Sequence, residues 1–238
     1  MVQKMSNKSI LYYTENRLDA TIMKAAQLQM LKSGLPIVSV SLKPLNFGEN
    51  FVINLEPGVI TMFRQILHGL ERSEAKVIFM GEHDVLYHPS HFDFTPPKDD
   101  TYYYNTNVWK WWYPKDYLIT YDFILSVSGL CASRELLLDH YRQRLKTIED
   151  NGWQDDSPNP YWVRKMGYEP GKKRIRGGFL DEKVEEWRPQ YPNIDLRHRN
   201  THTPLKVTLN RFRCTPTNWK ETTLENVPGW GLKEIFNL

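Results

Sequence analysis

The polar and apolar positions of the first eighty or so residues switch between two periods. Ser9 to Thr14, SILYYT, is a continuous apolar and aromatic run closed by a polar turn, as expected of a strand buried on both faces. From Asp19 to Ser33 the pattern moves to helical spacing, with Ile22, Ala25, Ala26, Gln29 and Met30 on one stripe and Gly34 and Pro36 as stops. Pro36 to Leu42, PIVSVSL, is β-branched and alternating, and predicts a second strand that Lys43-Pro44 closes. Thr61 to Leu70 predicts another helix, its apolar face made of Met62, Ile66, Leu67 and Leu70. Ala75 to Asp84, AKVIFMGEHD, predicts a third strand that runs out into charge. After Asp84 the periodicity gives way to an aromatic, proline-marked stretch, in which YDFILSVSGL (Tyr121 to Leu130) reads as a strand. A helix returns from Ser133 to about Glu149, bearing Leu136, Leu137, Tyr141 and Leu145, and beyond Asn151 only short elements are expected.

Strands separated by helices in this order predict an α/β fold, a Rossmann-like, mainly parallel sheet of βαβ units flanked by helices. Residues 1–150 are expected to form the core, and 151–238 an irregular basic region packed on the same domain. In open α/β sheets, ligands bind at the carboxyl ends of the strands. Here those ends carry Thr14-Glu15-Asn16-Arg17, Leu42-Lys43 and Glu82-His83-Asp84. Two carboxylates one residue apart at a buried strand's end offer hard oxygen ligands to a divalent cation. Mg²⁺ or Mn²⁺ needs only one or two of these, because substrate phosphates fill the remaining positions.

The run MFRQILHGLERSEAKVIFMGEHDVLY, read as helix, turn, apolar strand and acidic triplet, resembles GT-A glycosyltransferases of the family-two-like group, whose DxD motif follows such a helix and strand. The resemblance covers about the first 140 residues in order of elements. ILYYT, GLPIVSVSL, EHDVLYHPSHFDF and SGLCASRELLL look like a little-characterised bacterial and viral group of such enzymes. Glu82 stands where the first Asp of DxD would be, one methylene longer but still an oxygen ligand. The resemblance implies a nucleotide sugar as donor, a uridine nucleotide first, with Mn²⁺ or Mg²⁺ held by Glu82 and Asp84 around His83. It also makes YPNIDLRHRNTHT the segment where some of these enzymes place a histidine that completes the metal shell, here His198; a surface histidine between Arg197 and Arg199 is the equal alternative. Thr14, Asn16 and Arg17 then fall where the base and ribose are contacted, and Gln65 faces the same edge.

An inverting transferase needs a carboxylate to deprotonate the acceptor hydroxyl. Asp122, Asp155, Asp156 and Glu169 are candidates, with Glu169 preferred because GYEPGKK sets one acid in a turn among cations; an ion-paired surface carboxylate is its alternative role. Trp109, Trp111, Trp112 and Tyr113 could stack on a sugar or a base, although at least one of the tryptophans must be core. Asn105 and Asn107 could bond a sugar or serve as turn residues.

The formal charge is only +3, yet 161–220 holds fourteen basic residues against six acids, a net +8 that leaves the remainder at −5. That excess suggests an anionic partner and an acceptor in duplex DNA, a hydroxylated base of the kind made in viral DNA hypermodification, with a phosphate-bearing polysaccharide as runner-up. Two other classes compete. His83, Asp84, His88, His91 and Asp93 could form a zinc site for a hydrolase, although no spacing matches a helical histidine pair. The basic and aromatic residues alone would suit a non-catalytic nucleic-acid-binding module. No run approaches the roughly 20 apolar residues of a membrane helix, and the opening MVQKMSNKSI has no signal-peptide pattern. Cys131 and Cys214 lack CxxC spacing and suggest reduced thiols, so a cytoplasmic protein is expected.

Overall fold

The computed structural model describes residues 7–151, 169–175, 178–199, 201, 206, 208–212 and 215–238. The chain opens with β1 (Lys8–Thr14), α1 (Ala20–Leu31), β2 (Ile37–Ser41), β3 (Glu49–Val52), α2 (Val59–Arg72) and β4 (Val77–Glu82). β1 lies between β2 and β4, parallel to both, and β3 extends the sheet beyond β2. The apolar runs predicted as buried strands are β1, β2 and β4; Ile10, Leu11 and Tyr12 are fully buried because helices cover both faces. Asp19 caps α1, its Oδ1 accepting from the amides of Thr21 (2.8 Å) and Ile22 (3.4 Å). α2 packs close to the sheet at Gly69, where a Cβ would come within 3.1 Å of Leu11 and Val40.

On the other side of β4 the sheet changes direction. β9 (Leu130–Ser133) is antiparallel to both β4 and β6 (Tyr102–Asn105), and β12 (Val184–Trp187) adds a parallel edge strand to β6. Among the described residues the main sheet thus has seven strands, in the order β12-β6-β9-β4-β1-β2-β3. α3 (Arg134–Asn151) follows β9 and packs beside α2, burying Leu137, Leu138 and Tyr141. A second sheet is built from β5 (Val85–Leu86), β7 (Val108–Trp111), β8 (Leu118–Thr120), β13 (Asn193–Leu196) and β14 (Lys220–Thr222), in the order β14-β8-β7-β13-β5. β10 (Lys172–Ile175) and β11 (Gly178–Asp181) form a separate hairpin, and α4 (Leu232–Phe236) closes the chain.

Side-chain alternation along β1 divides the core in two. Ile10 and Tyr12 face α1, the second sheet and α4, whereas Leu11 and Tyr13 face α2 and α3. The C-terminal region contributes β12 to the main sheet and β13 and β14 to the second. Two expectations are corrected. β3 was not foreseen, and in YDFILSVSGL only Leu130 is strand: Asp122 and Phe123 form a turn, and Val127–Gly129 a 3-10 turn. Trp111 is the core tryptophan, at 0% exposure, while Trp112 is 43% exposed. Cys131 is a buried free thiol, and Cys214 lies outside the described residues. Among the described residues no helix is long and apolar enough to cross a membrane.

Candidate functional site

β4 delivers Glu82 to the carboxyl edge of the main sheet, where it pairs in register with Tyr13 of β1. The Tyr13 hydroxyl donates to Glu82 Oε1 at 2.6 Å, and the Glu82 amide donates to the Tyr87 hydroxyl at 3.0 Å. Burial, reinforced by the neighbouring charge of Asp84, pushes the Glu82 carboxyl up to about 8. His83 meets the Thr14 hydroxyl through Nδ1 at 2.8 Å, and burial holds its imidazole below the usual histidine value. At Asp84 burial works upward, but the hydrogen bond to His198 and the nearby His83 and Arg197 outweigh it and keep the carboxyl low. His198 Nε2 stands 3.4 Å from Asp84 Oδ2.

The second sheet brings His198 there. β13 is antiparallel to β5, with Asp195 opposite Val85, and the Leu196 amide donates to the Asp84 carbonyl at 2.9 Å. Asp195 is therefore fixed beside the carboxylate pair, 4% exposed and ion-paired to Arg197. Burial raises the Asp195 carboxyl in spite of that guanidinium. At Arg197 burial opposes the charge, and Asp195 more than restores it. Asp195 and Arg197 are the site residues the sequence reading missed. Their signal was NIDLR, where positions two apart on a strand share a face, but their proximity to Asp84 depends on a long-range strand pairing.

Among the described residues no three of His, Cys, Asp and Glu are gathered into a metal cage. What the edge offers is a pair. Ligands about 2.1 Å from a six-coordinate ion stand roughly 3 Å apart when adjacent, so Asp84 Oδ2 and His198 Nε2 at 3.4 Å fit two neighbouring positions of Mg²⁺ or Mn²⁺. A diphosphate and water would have to supply the others. Glu82 sits beside the pair with one oxygen held by Tyr13.

At several of the expected nucleotide contacts the fold itself engages the polar atoms. Thr14 is 2% exposed, its hydroxyl held between His83 and the Asn16 amide. Asn16 accepts from the amides of Leu42 (2.9 Å) and Lys43 (3.0 Å), clasping the end of β2. Gln65, also 2% exposed, donates to the carbonyls of Thr14 (2.8 Å) and Val40 (3.2 Å). These three position the strand ends. Arg17 is different: its side chain is 62% exposed and, among the described residues, pairs with Glu15, an ion pair that solvent screens.

The turn that carries Glu169 packs on β6 and β12: the Tyr104 hydroxyl donates to the Pro170 carbonyl at 2.6 Å, and Gly171 lies against Tyr102 and Val184. Asp122 lies elsewhere, beyond β8, where Oδ2 accepts from Thr217 and Asn218. Asp155 and Asp156 fall outside the described residues. The histidines of the zinc alternative are scattered. His91 is buried, stacked on Trp187 with Nδ1 against the amides of Asn105 and Asn193, and His88 engages Ser90. Asn105 and Asn107 likewise hold the fold rather than face an opening.

The solved structures similar to the chain include the following two. One is a glycosyltransferase involved in the glycosylation of the major capsid of PBCV-1, with 11% identity over 75% of this chain and 81% of that one and a TM-score of 0.44. The other is the inositol-1-phosphate CTP transferase from T. maritima, with 10% identity over 81% of this chain and 90% of that one and a TM-score of 0.40. Likeness at this level carries no argument about this chain's activity. No protein-family model matches the sequence, and no curated protein matches it.

A cleft of about 280 Å³ opens beside the edge, lined by Asp19, Ile22, Tyr113, Pro114, His198 and Arg199. Among the described residues of the later chain, three cations are engaged within the fold. Lys183 pairs with Asp100, Arg188 donates to the Thr106 carbonyl, and Arg197 is held by Asp195.

Proposed function

We propose that the chain is a glycosyltransferase that moves a sugar from a nucleotide sugar to an acceptor hydroxyl with the help of a divalent cation, Mn²⁺ or Mg²⁺. The observation that carries this reading is the Asp84–His198 pair, 3.4 Å apart, at the carboxyl edge of a mainly parallel sheet and next to Glu82. Asp84 and His198 would hold the cation, with Glu82 adjacent. When bound, the cation neutralises charge on the departing nucleoside diphosphate.

The remaining work falls to the chain's own side chains. Asp195 holds Arg197 beside the carboxylates and so limits their mutual repulsion before a ligand arrives. Arg17 and Arg199, both exposed near this edge, can approach phosphate oxygens and stabilise the charge that grows as the glycosidic bond breaks. Tyr13 fixes the Glu82 carboxyl, leaving its other oxygen for a ribose or sugar hydroxyl. In an inverting reaction Glu169 would be the carboxylate that accepts the acceptor's proton.

The test is a thermal-shift series with the diphosphates of uridine, guanosine, cytidine, adenosine and thymidine, with and without Mn²⁺. A ligand that binds only the native state raises the melting temperature. One nucleotide, uridine first, should do so more strongly with the metal, and the matching sugar nucleotide should be slowly hydrolysed. Identical melting temperatures throughout would overturn the reading. Hydrolysis unaffected by exhaustive chelation would remove the metal from it.

A further inference from the structure

Phe123 combines two features that a fold has no reason to combine. Its ring is 71% exposed, and its backbone sits at φ 61, in the left-handed region. There a bulky residue is strained by roughly 1–2 kcal/mol relative to its ordinary conformations, and Gly or Asn would be tolerated better. Among the described residues the side chain gains little burial in return. The turn that carries it is firmly held: the Asp122 amide donates to the Thr217 carbonyl at 3.0 Å, and Asp122 Oδ2 accepts from the Thr217 hydroxyl and the Asn218 amide. Asn218 is itself left-handed, at φ 52.

Around this turn stand three more half-buried rings. Tyr121 and Trp219 are nearly parallel, 9° apart with centroids at 5.9 Å, and Phe212 stands edge-on to both, at 81° and 82°. The shelf connects to the carboxylate edge through one side chain. Lys110 Nζ bonds the Tyr121 hydroxyl at 3.2 Å, and Lys110 lies opposite Asp195 in the β7–β13 register.

We propose that Tyr121, Asp122, Phe123, Phe212, Asn218 and Trp219 form an acceptor subsite for a neutral glycan, which deepens the glycosyltransferase reading and rests on it. A pyranose presents one face of C–H groups and a rim of hydroxyls. It therefore needs flat aromatic area with planar hydrogen-bonding groups at its edge, and the shelf provides rings bordered by the Asp122 carboxylate, the Asn218 amide and the Thr217 hydroxyl. All the bonds to Asp122 among the described residues use Oδ2, so Oδ1 keeps its capacity for a sugar hydroxyl. A nucleic acid fits less well. Asp122 would repel phosphates, and two of the described cations near the shelf lie against its rings, Lys206 over Phe212 at 4.8 Å and Lys110 over Tyr121 at 5.4 Å. Because Lys110 and Asp195 separate the shelf from Asp84, the subsite favours an oligosaccharide over a single sugar.

The experiment uses the full chain and saturation-transfer NMR with cellohexaose, maltohexaose and chitohexaose, each beside its monosaccharide, and a hydroxymethylated DNA duplex as the competing probe. Phe123→Gly is the variant, since Gly adopts the left-handed backbone freely and the melting temperature reports that the fold is kept. At least one hexaose should bind the wild type more tightly than its monosaccharide does. Loss of one aromatic contact should weaken it roughly three- to tenfold in Phe123→Gly. Equal hexaose binding in variant and wild type, absence of binding by all three, or binding of the duplex alone would overturn the subsite. If the hexaose effect stands while the wild type shows no metal-dependent nucleotide shift, the transferase reading falls and a carbohydrate-binding site remains.

Discussion

Around Asp84 polar side chains hold one another: Tyr13 on Glu82, Thr14 on His83, His198 on Asp84, Arg197 on Asp195, all at the seam of two sheets and mostly out of water. Around Phe123 the polar groups hold a turn, and the large apolar ring is left outside on a strained backbone. The first region gains its electrostatic strength from burial, which makes any single charge there expensive to leave alone. The second, among the described residues, couples a strained backbone to a side chain that is mostly exposed. The contrast teaches that substitutions at the seam should damage stability or chemistry, whereas substitution on the shelf should leave the fold intact.

The largest effect is expected from Arg197→Met, which leaves Asp195 buried without its counter-ion. A loss of about 3–5 kcal/mol should appear as a melting temperature lower by roughly 10 °C or more, and Asp195→Leu in the same chain should recover most of it. Equal melting temperatures in the single and double variants would mean that the pair is not coupled. Next comes Asp84→Asn, which keeps the shape and removes the charge. Sugar transfer should fall on the order of 10²-fold or more, while circular dichroism and melting change little.

These two positions were not equally legible in the sequence. Asp84 stood out because a fully buried parallel strand reads as an apolar run, and the charge that follows β4 marks its end. Asp195 and Arg197 were hidden among other charges, and only the pairing of β13 with β5 and β7 joins them to Asp84. Thr14, Asn16 and Gln65 were read to the correct edge, but periodicity cannot reveal that carbonyls and amides there need partners, which these side chains supply. β3 escaped because its residues, ENFV, lie on an exposed sheet edge and carry no apolar run. β5 to β8 escaped because they are two to four residues long, too short for a period to show.

A moderate effect separates the buried interior from both surfaces. Burial pushes the His91 imidazole down to about 3, against roughly 6.5 in an unfolded chain. A histidine whose folded pKa is depressed stays neutral in the native state and costs nothing above pH 6.5. Below that the unfolded chain takes up the proton first, so stability should fall by up to about 1.4 kcal/mol per pH unit toward pH 3. Melting temperatures between pH 7 and 4 should drop less steeply in His91→Phe, whose ring can keep the stack on Trp187. The smallest effect is on the shelf, where Phe123→Gly should leave stability unchanged or raise it by no more than about 1 kcal/mol, as the relief of strain offsets glycine's greater freedom when unfolded. A marked loss of melting temperature there would erase the contrast.

β13 lies between β5 and β7 and presents Asp195, Arg197 and His198 to a carboxylate that leaves the main sheet at β4. A fragment ending after α3 would keep the entire run from β1 to β9 and still lack half of the seam. β5 and β7 would lose the strand that joins them. Under the proposed function neither half alone would bind the metal and nucleotide. Two separately produced halves would gain that binding only on mixing, as the missing strand slid back between its neighbours.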